Sequence, residues 1–240
     1  MATWFGRKGG ARSGASRSWG RRIATWLAKG LLGFVALSLL FVALYKVVPV
    51  PVTPTMIMDP NGFSKDWTRL SSIDRNMVAA VIAGEDAKFC THHGFDTDAI
   101  EQAWQRNQRG GRIRGGSTIS QQTAKNVFLW QGGGFFRKGL EAWFTVLIEH
   151  IWGKRRIMEV YLNVAEMGPG VYGAEAAARK YFKTDAAHLS PDQAARLVAV
   201  LPNPIKYKAG TPGKYVRGRA AHIGAAAGTV RRAGLAECVL

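Results

Sequence analysis

Two carboxylates lie at positions where carboxylates are costly. Val78, Ile82, Glu85 and Phe89 follow one another at intervals of four, three and four, so they share one face of an α-helix whose other members are apolar. Glu141, Phe144, Ile148 and Ile151 repeat the pattern at intervals of three, four and three. A helix buries such a face, which aims both acids at a core or a cleft wall. A buried carboxylate without a partner raises its pKa. A raised pKa is what a general acid or base needs near neutral pH. Two inward-aimed carboxylates on separate helices are also the arrangement used on glycosidic bonds. The plainer reading pairs each acid with an arginine at the edge of the core, and periodicity alone favours it.

The neighbouring residues tilt the balance towards chemistry. Thr118, Gln121 and Lys125 are spaced by three and four, a polar stripe along another helix. Arg137 and Lys138 stand just before Glu141, behind the Gly-rich break Gln131–Gly134. Arg112 and Arg114 lie in a basic, Gly-rich loop spanning Arg109 to Gly116. Cations among amide and hydroxyl donors suit a phosphate or pyrophosphate ligand; the alternative is a solvated basic face. The Gly-rich break is not a nucleotide-binding loop, because no strand precedes it and no Lys-Ser/Thr pair ends it. No Cys/His spacing resembles a metal site.

The elements that must position these residues are helices. Ser71 or Ser72 is expected to cap a first helix running to about Cys90. Asp96 or Thr97 starts a second, to about Gln108. Thr118 and Gln121 form a capping-box pair that opens a third, to about Leu129. A long helix is expected from about Phe136 to Trp152, and another from Lys154 to Asn163. Ser190-Pro191-Asp192-Gln193 is a strong start for a helix that stops at Leu201-Pro202. Strand-type alternation is scarce after Ser71, so the fold class is mainly α.

The chain has 240 residues, 47% of them apolar, and a formal net charge of +17. Eight Lys and Arg precede residue 49, which leaves 25 basic against 16 acidic residues in the remainder. The main domain is therefore basic in its own right and favours anionic partners. Residues 1–29 are basic, without an acid, and the first of them, with the Gly/Ser/Arg-rich run at 7–18, are expected to be a disordered tail. Residues 30–48 are apolar apart from Lys46. As a helix they span roughly 28 Å, close to a bilayer core of about 30 Å. The segment runs into the Pro-rich stretch 49–54 without an Ala-x-Ala cleavage site, so it reads as an uncleaved anchor followed by a stiff linker. The basic tail keeps the N-terminus cytoplasmic and places the main domain outside. The expected divisions are a tail over 1–29, a transmembrane helix over 30–48, a linker and domain start over 49–70, and a catalytic domain over 71–240. Of the two cysteines, Cys90 falls in an expected helix and Cys238 near the end of the chain. Both are expected to be free thiols, although an exported domain meets an oxidising compartment.

Five motifs, in order, resemble those of the peptidoglycan glycosyltransferases of family 51. Glu85-Asp86-Ala87-Lys88-Phe89, with His92, Gly94, Phe95 and Asp96, resembles the first. Gly115-Gly116-Ser117-Thr118-Ile119-Ser120-Gln121-Gln122, then Lys125-Asn126, resembles the second. Arg137-Lys138-Gly139-Leu140-Glu141 is similar to the third, and Arg156 to Asn163 to the fourth. Gly170-Val171-Tyr172-Gly173, with Ala176-Ala177 and Tyr181-Phe182, is similar to the fifth, and Leu201-Pro202-Asn203-Pro204 closes the match. The likeness covers about residues 50–210.

The resemblance implies a lysozyme-like helical domain with a smaller, membrane-proximal jaw. It implies lipid II as acceptor and a growing glycan on undecaprenyl pyrophosphate as donor, with no nucleic acid partner. Glu85 would be the base that takes the proton of the acceptor 4-hydroxyl, giving a β-1,4 bond with inversion. Glu141 would be the second essential acid. Asp86, Ser117, Gln121, Gln122, Lys125, Arg137 and Lys138 would bind substrate, with Lys125, Arg137 and Lys138 meeting the pyrophosphate leaving group. A divalent cation, Mg or Mn, can assist through that pyrophosphate. The chain resembles the monofunctional branch, without the Ser-x-x-Lys and Lys-Thr-Gly motifs of a penicillin-binding domain, and the expected location is the inner membrane with the catalytic domain in the periplasm. The nearest rival is a lytic enzyme of lysozyme-like fold that cuts the same glycan; a second is a membrane-tethered binding protein for anionic lipid or nucleic acid.

Overall fold

A computed structural model describes residues 14–108 and 116–240 of the chain. Arg7, Lys8 and Arg12 of the expected tail, and Arg112 and Arg114 of the expected basic loop, lie outside the described residues. The chain divides into two units, residues 1–41 and 42–240.

The first unit carries most of helix α1 (Gly14–Val47). The helix begins at Gly14, inside the run expected to be disordered. Once the apolar segment has nucleated a helix, each further residue adds a hydrogen bond at little cost, and Arg and Ala are good helix formers. The stretch Trp19–Val47 is 29 residues long and apolar enough to cross a membrane. At 1.5 Å per residue it reaches roughly 44 Å, enough to cross with tilt. Leu31, Leu32, Leu37 and Leu40 stand exposed along it. Ser38, the hydroxyl residue between Leu31 and Leu40, donates to the carbonyl of Phe34 at 2.7 Å and so brings no unmet polar group into the apolar run.

The second unit holds its entry segment firmly. The indole of Trp152 donates to the carbonyl of Val42 at 2.7 Å. Arg156 donates to the carbonyls of Tyr45 and Val48 at 2.8 and 2.6 Å. The Pro-rich stretch, expected as a stiff linker, is packed: Val50 and Thr53 are fully buried, and Thr53 caps the short helix α2 (Pro54–Ile57).

Helix α3 (Arg75–Glu85) starts later and stops earlier than its periodicity suggests. Ser71 and Ser72 belong to a 3-10 turn, Leu70–Ser72, and the cap is Asp74, whose carboxylate accepts from the Asn76 N–H at 2.7 Å. Asp caps as well as Ser, so the residue nearest the helix takes the role. At the other end Asp86 leaves the helical region with φ −161°, and Phe89 reaches the core from the following turn. Helices α4 (Thr97–Gln108), α5 (Ile119–Phe128), α6 (Gly134–Ile151) and α7 (Lys154–Val164) lie close to their expected spans. The Gly-rich break before α6 supplies its cap, Gly133, in the left-handed conformation at φ 85°.

Three short strands were not expected. β1 (Ser64–Lys65) runs parallel to β3 (Val171–Tyr172), which pairs antiparallel with β2 (Glu166–Gly168), in the order β1-β3-β2. Runs of two or three residues are too short to show alternation. Helix α8 (Ala174–Phe182) follows, then α9 (Pro191–Val200), opened by the expected capping box of Ser190 and Gln193, and α10 (Lys214–Arg232).

Two packing groups frame the site. α5 packs against α6 and α7, while α10 packs against α9 and α3. The second group comes close at Gly84, where a Cβ would lie 2.6 Å from Val198 Cγ1 and 3.2 Å from Ile223 Cδ1. Only glycine lets α9 and α10 sit this near the turn that carries Glu85.

The expectation of two free thiols is overturned: Cys90 and Cys238 form a disulfide, with Cα atoms 5.6 Å apart and 148 residues between them in sequence. The end of the chain is not loose. Ala236 and Val239 are buried, and Arg155 donates to the Val239 carbonyl at 2.9 Å, which brings Cys238 to Cys90.

Glu166, at the start of β2, sets a pH dependence for the fold. Its Oε1 is buried with no hydrogen-bond partner among the described residues. Burial, and then the neighbouring Asp59 carboxylate, push its pKa up to about 7, against a lowering hydrogen bond from the Gly170 backbone. The unfolded chain releases this proton near the ordinary carboxylate value, so stability falls as pH rises from there through 7. Glu166→Gln is expected to stabilise the protein by roughly 1–2 kcal/mol at pH 8, after discounting for the partly exposed side chain. At pH 4 it should change little. Urea unfolding at the two pH values measures the difference.

Candidate active site

The last turn of α3 delivers Glu85 to the edge of the core. Met77, Val78, Val81 and Ile82 bury its apolar face, and the Glu85 side chain remains 12% exposed. Each oxygen has one partner. Gln122, from α5, donates Nε2 to Oε2 at 3.0 Å, and Arg219, from α10, donates Nη2 to Oε1 at 3.2 Å. Tyr161, from α7, donates its hydroxyl to the Gln122 carbonyl oxygen at 3.3 Å, which fixes the amide so that its NH2 faces the acid. Burial raises the Glu85 pKa. Gln122 and Arg219 pull it back, the Asp86 charge adds to the rise, and burial wins. Such a carboxylate is more basic than an exposed one.

Asp86 is 7% exposed and engaged by protein groups. Its Oδ2 accepts from the Ile119 N–H at 3.0 Å, and both oxygens lie within 3.0 Å of His92 Nε2. His92 Nδ1 accepts from the Gly94 N–H at 3.1 Å, so Nε2 is the nitrogen that donates. The carboxylate therefore sits on the first N–H of α5, where the helix dipole favours an anion, and ties that helix to the end of α3. Gln121 is also inward. It completes the capping box with Thr118, accepting from the Thr118 N–H at 3.0 Å, while the Thr118 hydroxyl donates to the Gly94 carbonyl at 2.6 Å. The expected capping box is thus present, and both of its side chains are buried. Ser117 is exposed just before the cap.

One turn further along α5, Lys125 points into the same neighbourhood. Burial lowers its pKa foremost; Glu141 opposes this, Arg137 and Lys138 add to it, and Glu85 opposes it again. The ammonium thus feels both acids, yet among the described residues Lys125 makes no ion pair. Glu141, 3% exposed on α6, is held differently. Arg137 Nη1 donates to its Oε2 at 2.7 Å and Lys138 to its Oε1. The plain reading of an acid paired with a base therefore describes Glu141 well. Glu85 combines both readings, being paired with Arg219 and still raised by burial.

Glu85, Gln122, Lys125, Arg137, Lys138 and Glu141 are brought into one electrostatic neighbourhood, while Asp86 and Gln121 support it from behind. Arg219 and Tyr161 were not anticipated. Val216, Ala220, Ile223, Ala227 and Val230, spaced by four, three, four and three, carried the signal for the helix that bears Arg219. Chemically the group offers a base of raised pKa in the neighbourhood of an ammonium that has no carboxylate partner among the described residues. That suits proton removal from a hydroxyl beside a leaving group that departs as an anion.

Comparison with known proteins gives the family. A family model described as Transglycosylase matches residues 54–226. The chain is 55% identical over 211 residues to a biosynthetic peptidoglycan transglycosylase of Caulobacter vibrioides, covering 87% of this chain and 92% of that protein. A protein of the same name from Pseudomonas aeruginosa is 54% identical, over 82% of this chain and 89% of its own. Another from Rhodospirillum centenum is 51% identical, over 92% and 95%. Glu85, Gln122, Lys125, Glu141 and Arg219 all fall inside the matched span, and the chain belongs to the transglycosylase family.

Proposed function

We propose that this transglycosylase polymerises lipid II into β-1,4-linked glycan strands of peptidoglycan. The observation that carries the reading is the buried Glu85 carboxylate, raised in pKa, in the neighbourhood of Lys125, which makes no ion pair among the described residues. Glu85 takes the proton of the acceptor sugar's 4-hydroxyl. The freed oxygen pair attacks the donor's anomeric carbon from the face opposite the leaving group, which inverts the centre. The bond from that carbon to the pyrophosphate oxygen breaks, and its electron pair leaves with undecaprenyl pyrophosphate. Because the leaving group is an anion, it asks for cations rather than a general acid. Lys125 meets the charge first, with Arg137 and Lys138 at hand beside Glu141.

The carboxylates here do not suit a protein-held divalent cation. Asp86 is engaged by Ile119 and His92, and Glu141 by Arg137 and Lys138. A magnesium or manganese ion that takes part would arrive with the pyrophosphate of the substrate.

The apolar helix α1 supports a single-pass anchor, with its basic N-terminal side in the cytoplasm by the positive-inside tendency. The Cys90–Cys238 disulfide supports an oxidising compartment for the catalytic part, such as the periplasm outside the inner membrane. Phe135 and Phe136, 99% and 74% exposed at the start of α6, are suited to dip into the lipid from which the substrate is drawn.

Incubation of the full-length protein with purified lipid II tests the reading. The expected result is a ladder of glycan polymer that muramidase digests. Cleavage of finished glycan with no polymer formed would instead establish a lytic enzyme.

A further inference from the structure

Arg219 is built into the site more closely than a surface pair requires. Its Nη2 bridges two acceptors, the Glu85 carboxylate at 3.2 Å and the Gly84 carbonyl at 3.3 Å. Its Nε is buried and has no hydrogen-bond partner among the described residues. A buried donor left unmet is costly, so the guanidinium gives up hydration to reach one carboxylate. The approach depends on α10 closing on α3 at Gly84, where any side chain would strike Val198. A groove of about 570 Å³, lined by Ala83, Gly84, Lys214, Tyr215, Arg219 and His222, leads from solvent to the guanidinium.

We propose that Arg219 is a positioning residue for the base: it holds Glu85 as the anion, in a single orientation shared with Gln122, until the acceptor hydroxyl arrives. This rests on Glu85 being the base. The other groups facing Glu85 set the background. Asp86 on its own turn repels the charge, Lys125 on α5 attracts it, and Tyr161 on α7 acts through Gln122. Glu141, Arg137 and Lys138 on α6 act through Lys125, and Lys214 and His222 on α10 line the groove. Burial alone would keep the acid protonated to a higher pH. Arg219 opposes this, so its loss must move the acid limb of the rate profile upward.

The test measures kcat and KM for lipid II from pH 5 to 9 in the full-length protein. Arg219→Gln and Arg219→Ala should lower kcat at pH 7 by roughly 10–100-fold. KM should change little, and the acid limb should move up by about one pH unit. Arg219→Lys should keep the limb near its wild-type position. Methylguanidinium, entering by the groove, should restore part of the turnover of Arg219→Ala and none of Glu85→Gln. An unmoved acid limb in Arg219→Gln, or a loss that tracks the unfolding temperature and resists methylguanidinium, overturns the proposal. If Glu85→Gln still polymerises lipid II, the base assignment itself falls. If it does not, and the Arg219 variants keep the wild-type profile, only the role of Arg219 falls.

Discussion

Glu85→Gln is expected to lower lipid II polymerisation by roughly three orders of magnitude, with the fold intact, since loss of a general base typically costs 10²–10⁴ in rate. The glutamine has the size of the acid and keeps an oxygen for Arg219. It cannot accept a proton. Its NH2 must also face the Gln122 NH2, whose amide Tyr161 holds in place. One hydrogen bond is therefore strained, at about 1 kcal/mol. Against that, a neutral side chain has no charge to desolvate in a site where burial raises the acid's pKa. The two effects nearly offset, so the unfolding transition should stay close to wild type. Turnover of fluorescent lipid II, read beside thermal unfolding, separates the outcomes. A variant that retains a tenth of wild-type turnover would remove Glu85 from the chemistry. A second check lies in the pH profile, where the acid limb of the wild type should stand above an ordinary carboxylate, in the direction set by burial.

How far the site could be read from the chain depended on the range of the forces involved. The acids were legible because helix periodicity is local: Glu85 and Glu141 stand on apolar stripes whatever packs against them. The capping boxes at Thr118 and Ser190 were legible for the same reason, each being settled within four residues. The ends of α3 were not, since Asp86 leaves the helix to meet His92 and the Ile119 N–H, 33 residues away in sequence. Arg219 was missed because its partner is 134 residues distant and no local pattern joins them. The disulfide was missed because a cysteine near the chain end looks mobile until the burial of Ala236 and Val239 is known. The resemblance to the glycosyltransferases supplied what periodicity could not, the order of the motifs. The structure then separated residues quoted together: of Glu85 and Asp86, adjacent in one motif, the first meets Gln122 and Arg219 at the site and the second is the brace behind it.

The same separation singles out Lys125 among the cations. Arg137 and Lys138 are committed to Glu141, so removing either breaks a buried pair and confounds stability with catalysis. Lys125 makes no ion pair among the described residues, and Glu141 keeps both partners without it. Lys125→Ala should therefore leave the fold intact. It should lower kcat by roughly 10²–10³, the usual loss when one preorganised group facing a developing anion is removed. KM should change less, because the extra charge on the pyrophosphate appears as the bond to the sugar breaks. The alkaline limb offers a sharper check. Burial lowers the Lys125 pKa, with Arg137 and Lys138 adding to the effect and the acids Glu141 and Glu85 opposing it. The ammonium is thus lost at a pH below that of an ordinary lysine, and the rate should fall there. Lys125→Arg keeps a cation that does not titrate in this range. Its rate should be lower than wild type at pH 8, because the guanidinium does not reproduce the ammonium's position, but it should hold steady where the wild type declines. An alkaline limb that survives in Lys125→Arg would place the titrating cation elsewhere and leave Lys125 as a mere neighbour of the two acids.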